Sequence, residues 1–418
     1  MDRGSHRRGG IGMTSLPLEG VRVLDFAWVW AGPVQSLQLA YLGAEVIKVE
    51  SSTPARLDTI RRLPPYADDE PGPNRSGYFN QYNQGKKSIT LDLKSSEGLR
   101  IAKDLIAHCD VVAENFASGV IDRMGLGYDV VSEIKPDAVM ISFSGYGRTG
   151  PKKDYIAYGP AQVPMIGLAS LSGYAGGQPR EVGLSYGDPN GGLHAACAIL
   201  LALYHRARTG EGQYIDMAQW EAGVGLTAEG FMDQAMNGSQ PLRMGNRDQW
   251  EAPQGCFPCA GDDEWLSIAC WSDEEWRALA TAMGRPEIGK DSRFGDAPSR
   301  KAHEGEIEAA IANWTRSRDR WALTQALQAV GVAAYPAMSN RDLVESAHLA
   351  ERGYFVELDH PEVGVRRHAG MPWKFSETPL AVRTPAPLLG QHTDVVLAEI
   401  LGYTGEQIAS FREAGALS

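Results

Sequence analysis

The sequence predicts an α/β protein with an open, mostly parallel, Rossmann-like sheet in a large domain, plus a smaller α+β domain. Three observations carry that prediction. Short β-branched runs alternate with helical patterns through the first half of the chain, as they do in successive βαβ units. At 418 residues the chain exceeds what one ordinary core holds, so two domains are expected. Beyond Asn237-Gly238 the pattern changes to hairpin and helix signals of an α+β kind.

Residues 21–26 read as a buried strand and Trp28-Val-Trp-Ala-Gly-Pro33 as the loop after it. Pro33 suits the first turn of a helix that Gly43 ends, and residues 45–50 form the next strand. Strand, helix and strand this close should be parallel with a right-handed crossover. Residues 51–77, rich in Pro, Asp and Arg, read as a long surface loop. Further strands are expected at 88–93, 110–115 and 138–143, with helices at 95–106 and in part of 120–134. Ligands of such a sheet bind beyond the carboxyl ends of its strands, where the loops 28–33, 115–116 and 145–147 lie. No G-x-G-x-x-G follows the first strand and no Walker motif occurs, so dinucleotide binding of the Rossmann type is poorly supported.

Residues 213–219 alternate like a half-buried strand, and 220–236 read as helix. The smaller domain should contain a hairpin over 256–270 turning at Gly261-Asp-Asp263. Ser272-Asp-Glu-Glu275 opens a helix there, and further helices are expected at 301–314 and 318–330. Two antiparallel strands flank the turn 360–364, and two short helices broken at Gly402 close the chain. The expected division is a leader over 1–15, disordered in this reading, a large domain over 16–236, a small one over 237–340, and a return to the large domain over 341–418.

A net charge of −12 argues against a nucleic-acid partner. No run is long enough to span a bilayer, and the basic, Gly-rich first dozen residues are no signal peptide. Five irregularly spaced cysteines suit the reducing cytoplasm. Cys256-Phe-Pro-Cys259 has no second pair to complete a metal site, so half-buried strand thiols are expected.

Leu184-Ser-Tyr-Gly-Asp188-Pro-Asn-Gly-Gly-Leu-His194 places one carboxylate in a glycine-rich turn before the apolar run 195–204. It reads as a strand end, a tight turn and a buried helix. Helix N-termini favour negative charge, so a reactive acid is well sited there. An N-cap at Asp188 followed by Pro189 at the first helical position is the simpler meaning. These residues alone leave both open.

The chain resembles the family III coenzyme A transferases over about residues 16–417. The carriers are Leu18-Glu-Gly-Val-Arg-Val-Leu-Asp25 with Ala31-Gly-Pro33, Leu42-Gly-Ala-Glu-Val-Ile-Lys-Val-Glu50, and Asn83 with Lys86-Lys87-Ser88. Glu114-Asn-Phe116 with Arg123-Met-Gly125, Gly187-Asp188, Arg208-Thr-Gly-Glu-Gly-Gln213 and Gly390-Gln-His-Thr-Asp394 complete the set. The resemblance implies CoA transfer from an acyl-CoA donor to a carboxylic acid, with Asp188 as nucleophile. A mixed anhydride and then an aspartyl-CoA thioester would form. CoA enters as substrate, and no separate cofactor or metal is implied. Two chains interlinked like rings are implied, as a homodimer or as a heteromer with a related subunit.

At matching positions Val29 and Trp30 would lie near the thioester, and Asn115 and Phe116 near the pantetheine or adenine. Arg123 and Met124 would surround the nucleotide, and Lys86 and Lys87 would meet its phosphates. Gly191 and Gly192 would let backbone amides approach the developing oxyanion. Formyl-CoA transferase has Gln in place of Trp30 and Arg in place of Ser51, and it carries a glycine run absent here. These departures point to a bulkier or more apolar acid. Two rival readings stand beside this one. The first is the family's racemase chemistry, which needs two acid/base groups about an α-carbon. Residues 150–160 lack the histidine of that branch, and His194 is expected to be a satisfied core histidine. The second is a non-catalytic partner subunit, which would have no need of Asp188.

Overall fold

Short, largely apolar runs buried on both faces build the sheet that positions the site. The computed structural model describes residues 16–239 and 242–418, and the leader assigned to 1–15 lies outside them. Strands β1 (Arg22–Asp25), β2 (Glu45–Glu50), β3 (Lys87–Thr90), β4 (Val111–Glu114), β5 (Val139–Ser144) and β6 (Gln213–Ala218) pair in the order β3-β2-β1-β4-β5-β6. Every pairing is parallel. Successive residues point to opposite faces, and both faces are buried. Val23, Val46, Val111 and Val139 enter one core, and Leu24, Ile47, Val112 and Met140 enter the other. The strand order reverses between β1 and β4. The loops leaving those two strands therefore diverge and open a crevice at their carboxyl ends.

One face of the sheet is covered by the first helix, Ala31–Tyr41, and the long helix Gly187–Thr209. These two lie so close that a Cβ on Gly192 would come within 2.7 Å of the Ala31 carbonyl oxygen and 2.9 Å of Val34 Cβ. The other face is covered by Ser96–Ile106 and by Thr393–Leu401 from the chain's end.

The stretch 51–77, expected as surface loop, is largely surface but is anchored to the protein interior by a few buried residues. Its Arg61 is fully buried, stacked on Phe79 and bidentate to Glu50 at 2.7 and 2.8 Å. Its Asp58 pairs with Lys48 at 3.0 Å, both without exposure. Charged residues read as surface in a sequence, whereas here the partners on β2 are themselves buried charges. A short helix, Gly77–Tyr82, follows under a Ser76 cap.

The chain separates into two compact units, the larger built from the chain up to Leu168, Val182–Ala228 and Ala350–Ser418. Within it β10 (Phe355–His360) and β11 (Gly364–Ala369) form the hairpin expected about residues 360–364. The smaller unit comprises Ala169–Glu181 and Glu229–Leu349. Its antiparallel sheet runs β7 (Gln254–Pro258), β8 (Trp265–Ala269), β9 (Ala333–Pro336), and Trp276, Leu279, Ile311 and Leu323 fill its core. Residues 169–181 join it through main-chain bonds that no hydrophobic period announces. The Gly245 amide donates to the Gly173 carbonyl at 2.8 Å, and Arg243 donates to the carbonyls of Ser170 and Gly177. Cys256 on β7 is half-buried, Cys259 is buried, and both are free thiols. Among the described residues no helix is long and apolar enough to cross a membrane.

Candidate active site

The loop after β1 carries the first wall of the site, and its conformation is enforced from three sides. The Ala27 amide donates to Asp25 at 2.9 Å, and Lys48 Nζ donates to the Ala27 carbonyl at 2.6 Å. Asn115, at the end of β4, accepts from the Trp28 amide and donates to the Trp28 carbonyl, both at 2.8 Å. The Val29 amide donates to Asp58 at 3.0 Å. Under these constraints Val29 takes φ 65°, a left-handed conformation costly for a β-branched residue. The strain turns the main chain over the crevice and delivers Trp30 into it. Trp30 is 5% exposed and packs edge-on to Tyr78 and tilted against Tyr82, with centroids 5.5 and 5.6 Å away.

Asp188 forms the opposite wall. It is the second residue of the long helix, not its N-cap, and the segment before it is irregular, not a strand. Its Oδ1 accepts from Gln219 Nε2 at 2.6 Å and from Gln162 Nε2 at 3.3 Å. Its Oδ2 accepts no bond among the described residues and lies against Gly159, where a Cβ would come within 2.6 Å of it. At 8% exposure the carboxylate is largely stripped of water, and burial raises its pKa to about 6 despite the two amide bonds.

A cavity of 230 Å³ gathers Val29, Trp30, Asn115, Phe116 and Asp188, five of the residues singled out from the sequence. Trp28 and Phe116, edge to face at 5.8 Å, also line an adjoining apolar cavity of 280 Å³ that holds Met124 and is rimmed by Arg56 and Lys94. Arg123 is exposed beside Gly119.

The remaining candidates stand elsewhere. Lys86 has no side-chain exposure, and its ammonium donates to Ser36, Asn83 and the Pro33 carbonyl at 2.8, 3.0 and 3.1 Å. Burial lowers its pKa to about 7. Lys87 pairs with Glu45 at 2.6 Å. Both lysines line a separate cavity of 510 Å³, away from Asp188. Gly191 and Gly192 lie past the first helical turn, where amides belong to the helical ladder. Their missing side chains make room for Phe143 and Val34, which is a packing role. His194 is exposed, not in the core, and its Nδ1 lies 2.9 Å from the Asn190 carbonyl oxygen.

Gln162, Gln219 and Gly159 escaped the sequence reading, and Trp28 entered it only as part of the loop 28–33. Gln219 had a usable signal, since it closes the strand pattern of β6 at a carboxyl end facing the crevice. Gln162 had none, because it sits on the short helix Gly159–Met165 after an irregular loop.

A desolvated carboxylate with one free oxygen, set in a crevice at a strand-order reversal, is an arrangement that nucleophilic or acid–base chemistry can use. The family model for CoA-transferase family III matches residues 18–393, so the chain belongs to the family III CoA transferases and is an enzyme of that class. It is 36% identical to the succinyl-CoA–L-malate CoA-transferase beta subunit of Chloroflexus aurantiacus, over 96% of this chain and 98% of that protein. It is 34% identical to the formyl-CoA:oxalate CoA-transferase of Rhodopseudomonas palustris strain HaA2, over 96% and 97%. The crystal structure of a CAIB/BAIF family protein from Brucella suis superposes with a TM-score of 0.84 at 33% identity, over 93% of this chain and all of that one.

Proposed function

We propose that this enzyme moves CoA from an acyl-CoA to a carboxylic acid with Asp188 as the covalent nucleophile. The observation that carries the reading is the Asp188 carboxylate itself, dehydrated, raised to about pKa 6 and free at Oδ2 beside a cavity that Trp30 helps to line. A carboxylate is a weak nucleophile in water, and removing its hydration shell is what makes it competent. Oδ2 attacks the thioester carbonyl, and the C–S bond breaks to give a mixed anhydride and CoA thiolate. The thiolate then attacks Asp188 Cγ, releasing the donor acid and leaving an aspartyl-CoA thioester. The acceptor acid reverses both steps.

The two adjoining cavities support the placement of CoA. Its thioester lies at Asp188, its pantetheine passes Asn115 and Phe116, and its adenine occupies the apolar cavity beside Met124. Lys94 at that rim is better placed for phosphate than Lys86, whose ammonium is already saturated, while Arg56 beside it is paired with Asp92. The acid end of the site is lined by Trp30, Phe143, Tyr155, Ile156 and Tyr158, with Lys153 as its one cationic side chain among the described residues. That lining favours a bulkier or more apolar acid over a small dicarboxylate.

The active enzyme pairs with a second copy of itself. Over residues 195–204 the long helix is apolar all round, and its outer stripe leaves Leu193, Leu201 and Tyr204 at 48%, 64% and 62% exposure. Leu201→Glu should convert a dimer into monomers in analytical ultracentrifugation. Five free cysteines fit work in the reducing cytoplasm.

A matrix of acyl-CoA donors against carboxylic acids, read by mass spectrometry of the CoA thioesters formed, tests the reading. At least one pair should exchange CoA with this chain alone. No exchange across aliphatic, aromatic and dicarboxylic acids would remove it.

A further inference from the structure

We propose that Gln162 and Gln219 decide which oxygen of Asp188 reacts, and that the oxygen they hold receives the negative charge when the aspartyl carbonyl is attacked. The proposal rests on the CoA-transfer reading above. Both amides donate to the same atom, Oδ1, at 3.3 and 2.6 Å, and Oδ2 is left without a donor against Gly159, both residues lining the cavity. Turning either amide over would set its oxygen against a carboxylate oxygen, so each faces Asp188 with nitrogen. The room for this comes from two glycines. A Cβ on Gly187 would strike Gln162 Oε1 at 2.1 Å, and one on Gly159 would strike Asp188 Oδ2 at 2.6 Å.

The bonds made and broken give the two oxygens different fates. Oδ2 attacks the donor thioester and becomes the bridging oxygen of the anhydride. When thiolate attacks Cγ, the Cγ–Oδ2 bond breaks, and the donor acid departs carrying that oxygen. Oδ1 stays as the carbonyl oxygen of the aspartyl-CoA thioester. At each attack on Cγ, by thiolate or by acceptor carboxylate, an electron pair moves onto Oδ1, where the two N–H donors already point. Donors fixed on the atom that gains charge stabilise the transition state without reorganisation. When the acceptor acid has been converted, its own oxygen remains on Asp188 in the Oδ2 position. Every turnover thus replaces one oxygen and retains the other, provided the carboxylate does not rotate. Rotation about Cβ–Cγ would break both amide bonds in a buried site.

The test uses the whole enzyme and the pairs that exchange CoA in the matrix, beginning with benzoyl-CoA and benzoate labelled with heavy oxygen at every carboxyl position. After many turnovers the Asp188 peptide is recovered and weighed. One heavy oxygen on Asp188, never two, is the expected result. Two heavy oxygens would overturn the proposal while leaving the covalent reading intact. None, with CoA exchange proceeding, would overturn the covalent reading itself, and so would a matrix without any exchanging pair. Gln219→Met, and Gln162→Met with it, should admit the second heavy oxygen and lower kcat by roughly 10²–10³-fold, with a smaller change in KM. Retention of a single label in the double variant would show that something other than these amides holds Oδ1. The wild-type measurement decides the matter even where a variant folds poorly.

Discussion

Asn115 grips the main chain of Trp28 from both sides, its Oδ1 accepting from the amide and its Nδ2 donating to the carbonyl, each at 2.8 Å. The side chain thereby does what a neighbouring strand would do, at the point where β1 and β4 part and no strand follows. It ties together the two loops that open the crevice. Gly32 is the accommodation, since a Cβ there would meet Ala27 at 2.2 Å and Asn115 at 3.2 Å.

Asn115→Ala should therefore leave the Trp28 main chain without its partners at a cost of about 1–3 kcal/mol. The strained Val29 turn should relax with it. We expect a lower melting temperature and a raised KM for the acyl-CoA, read by thermal unfolding and initial rates. An unchanged KM would reduce the grip to a purely structural one.

The pair Lys48–Asp58 holds the same turn from below, with Asp58 accepting from the Val29 amide. Asp58→Ala strands a buried ammonium, and losing one partner of such a pair costs about 3–5 kcal/mol. Replacing both residues by apolar ones of similar volume should restore most of the stability, because neither charge then remains buried alone. Activity should not return, since the Val29 amide still lacks its acceptor. Denaturant titration beside a rate assay separates the two effects.

Trp30→Gln should alter the choice of acid more than the affinity for CoA. Its ring packs against Tyr78 and Tyr82 and lines the cavity that holds Asp188, while the second cavity is lined by Trp28 and Phe116. Acceptor profiles and KM for CoA thioesters, compared with wild type, check this. Wild-type values for both would make Trp30 mere packing.

Asp188 should burden the fold as pH rises. Its pKa rises from 3.8 to about 6 because burial disfavours the charged form, so the native state binds the proton more tightly than the unfolded chain does. That contribution is fully present below the unfolded value and is lost as pH climbs through about 6. Asp188→Asn should thus be more stable than wild type at pH well above 6, by on the order of 1–3 kcal/mol, with the gap closing in acid. Melting temperatures of the two proteins across pH read it directly.

The parallel sheet was legible because its strands carry β-branched runs that both faces bury, and the crevice followed from where those strands end. Val29, Trp30, Asn115, Phe116 and Asp188 were found in that way or through the family resemblance, and the structure gathers them into one cavity. The interior charges were not legible. Arg61, Asp58 and Lys86 look like surface residues until Glu50, Lys48 and Asp25 are seen to face them at short range. The glycines after Asp188 misled for a related reason. Glycine marks a close approach without saying to what, and at 191 and 192 the neighbours are Phe143 and Val34.

Covalent trapping at Asp188 tests the central claim most directly. The enzyme is incubated with a donor acyl-CoA that exchanges, treated with borohydride, digested and sequenced by mass spectrometry across pH. An acylated aspartyl carbonyl is reduced to the alcohol, so Asp188 should be recovered as homoserine only when donor is present. The yield at short times should rise with pH and level off above about 6, where the carboxylate is ionised. An unmodified Asp188 in enzyme caught in mid-turnover, or an Asp188→Ala protein that transfers CoA at the full rate, would contradict the account.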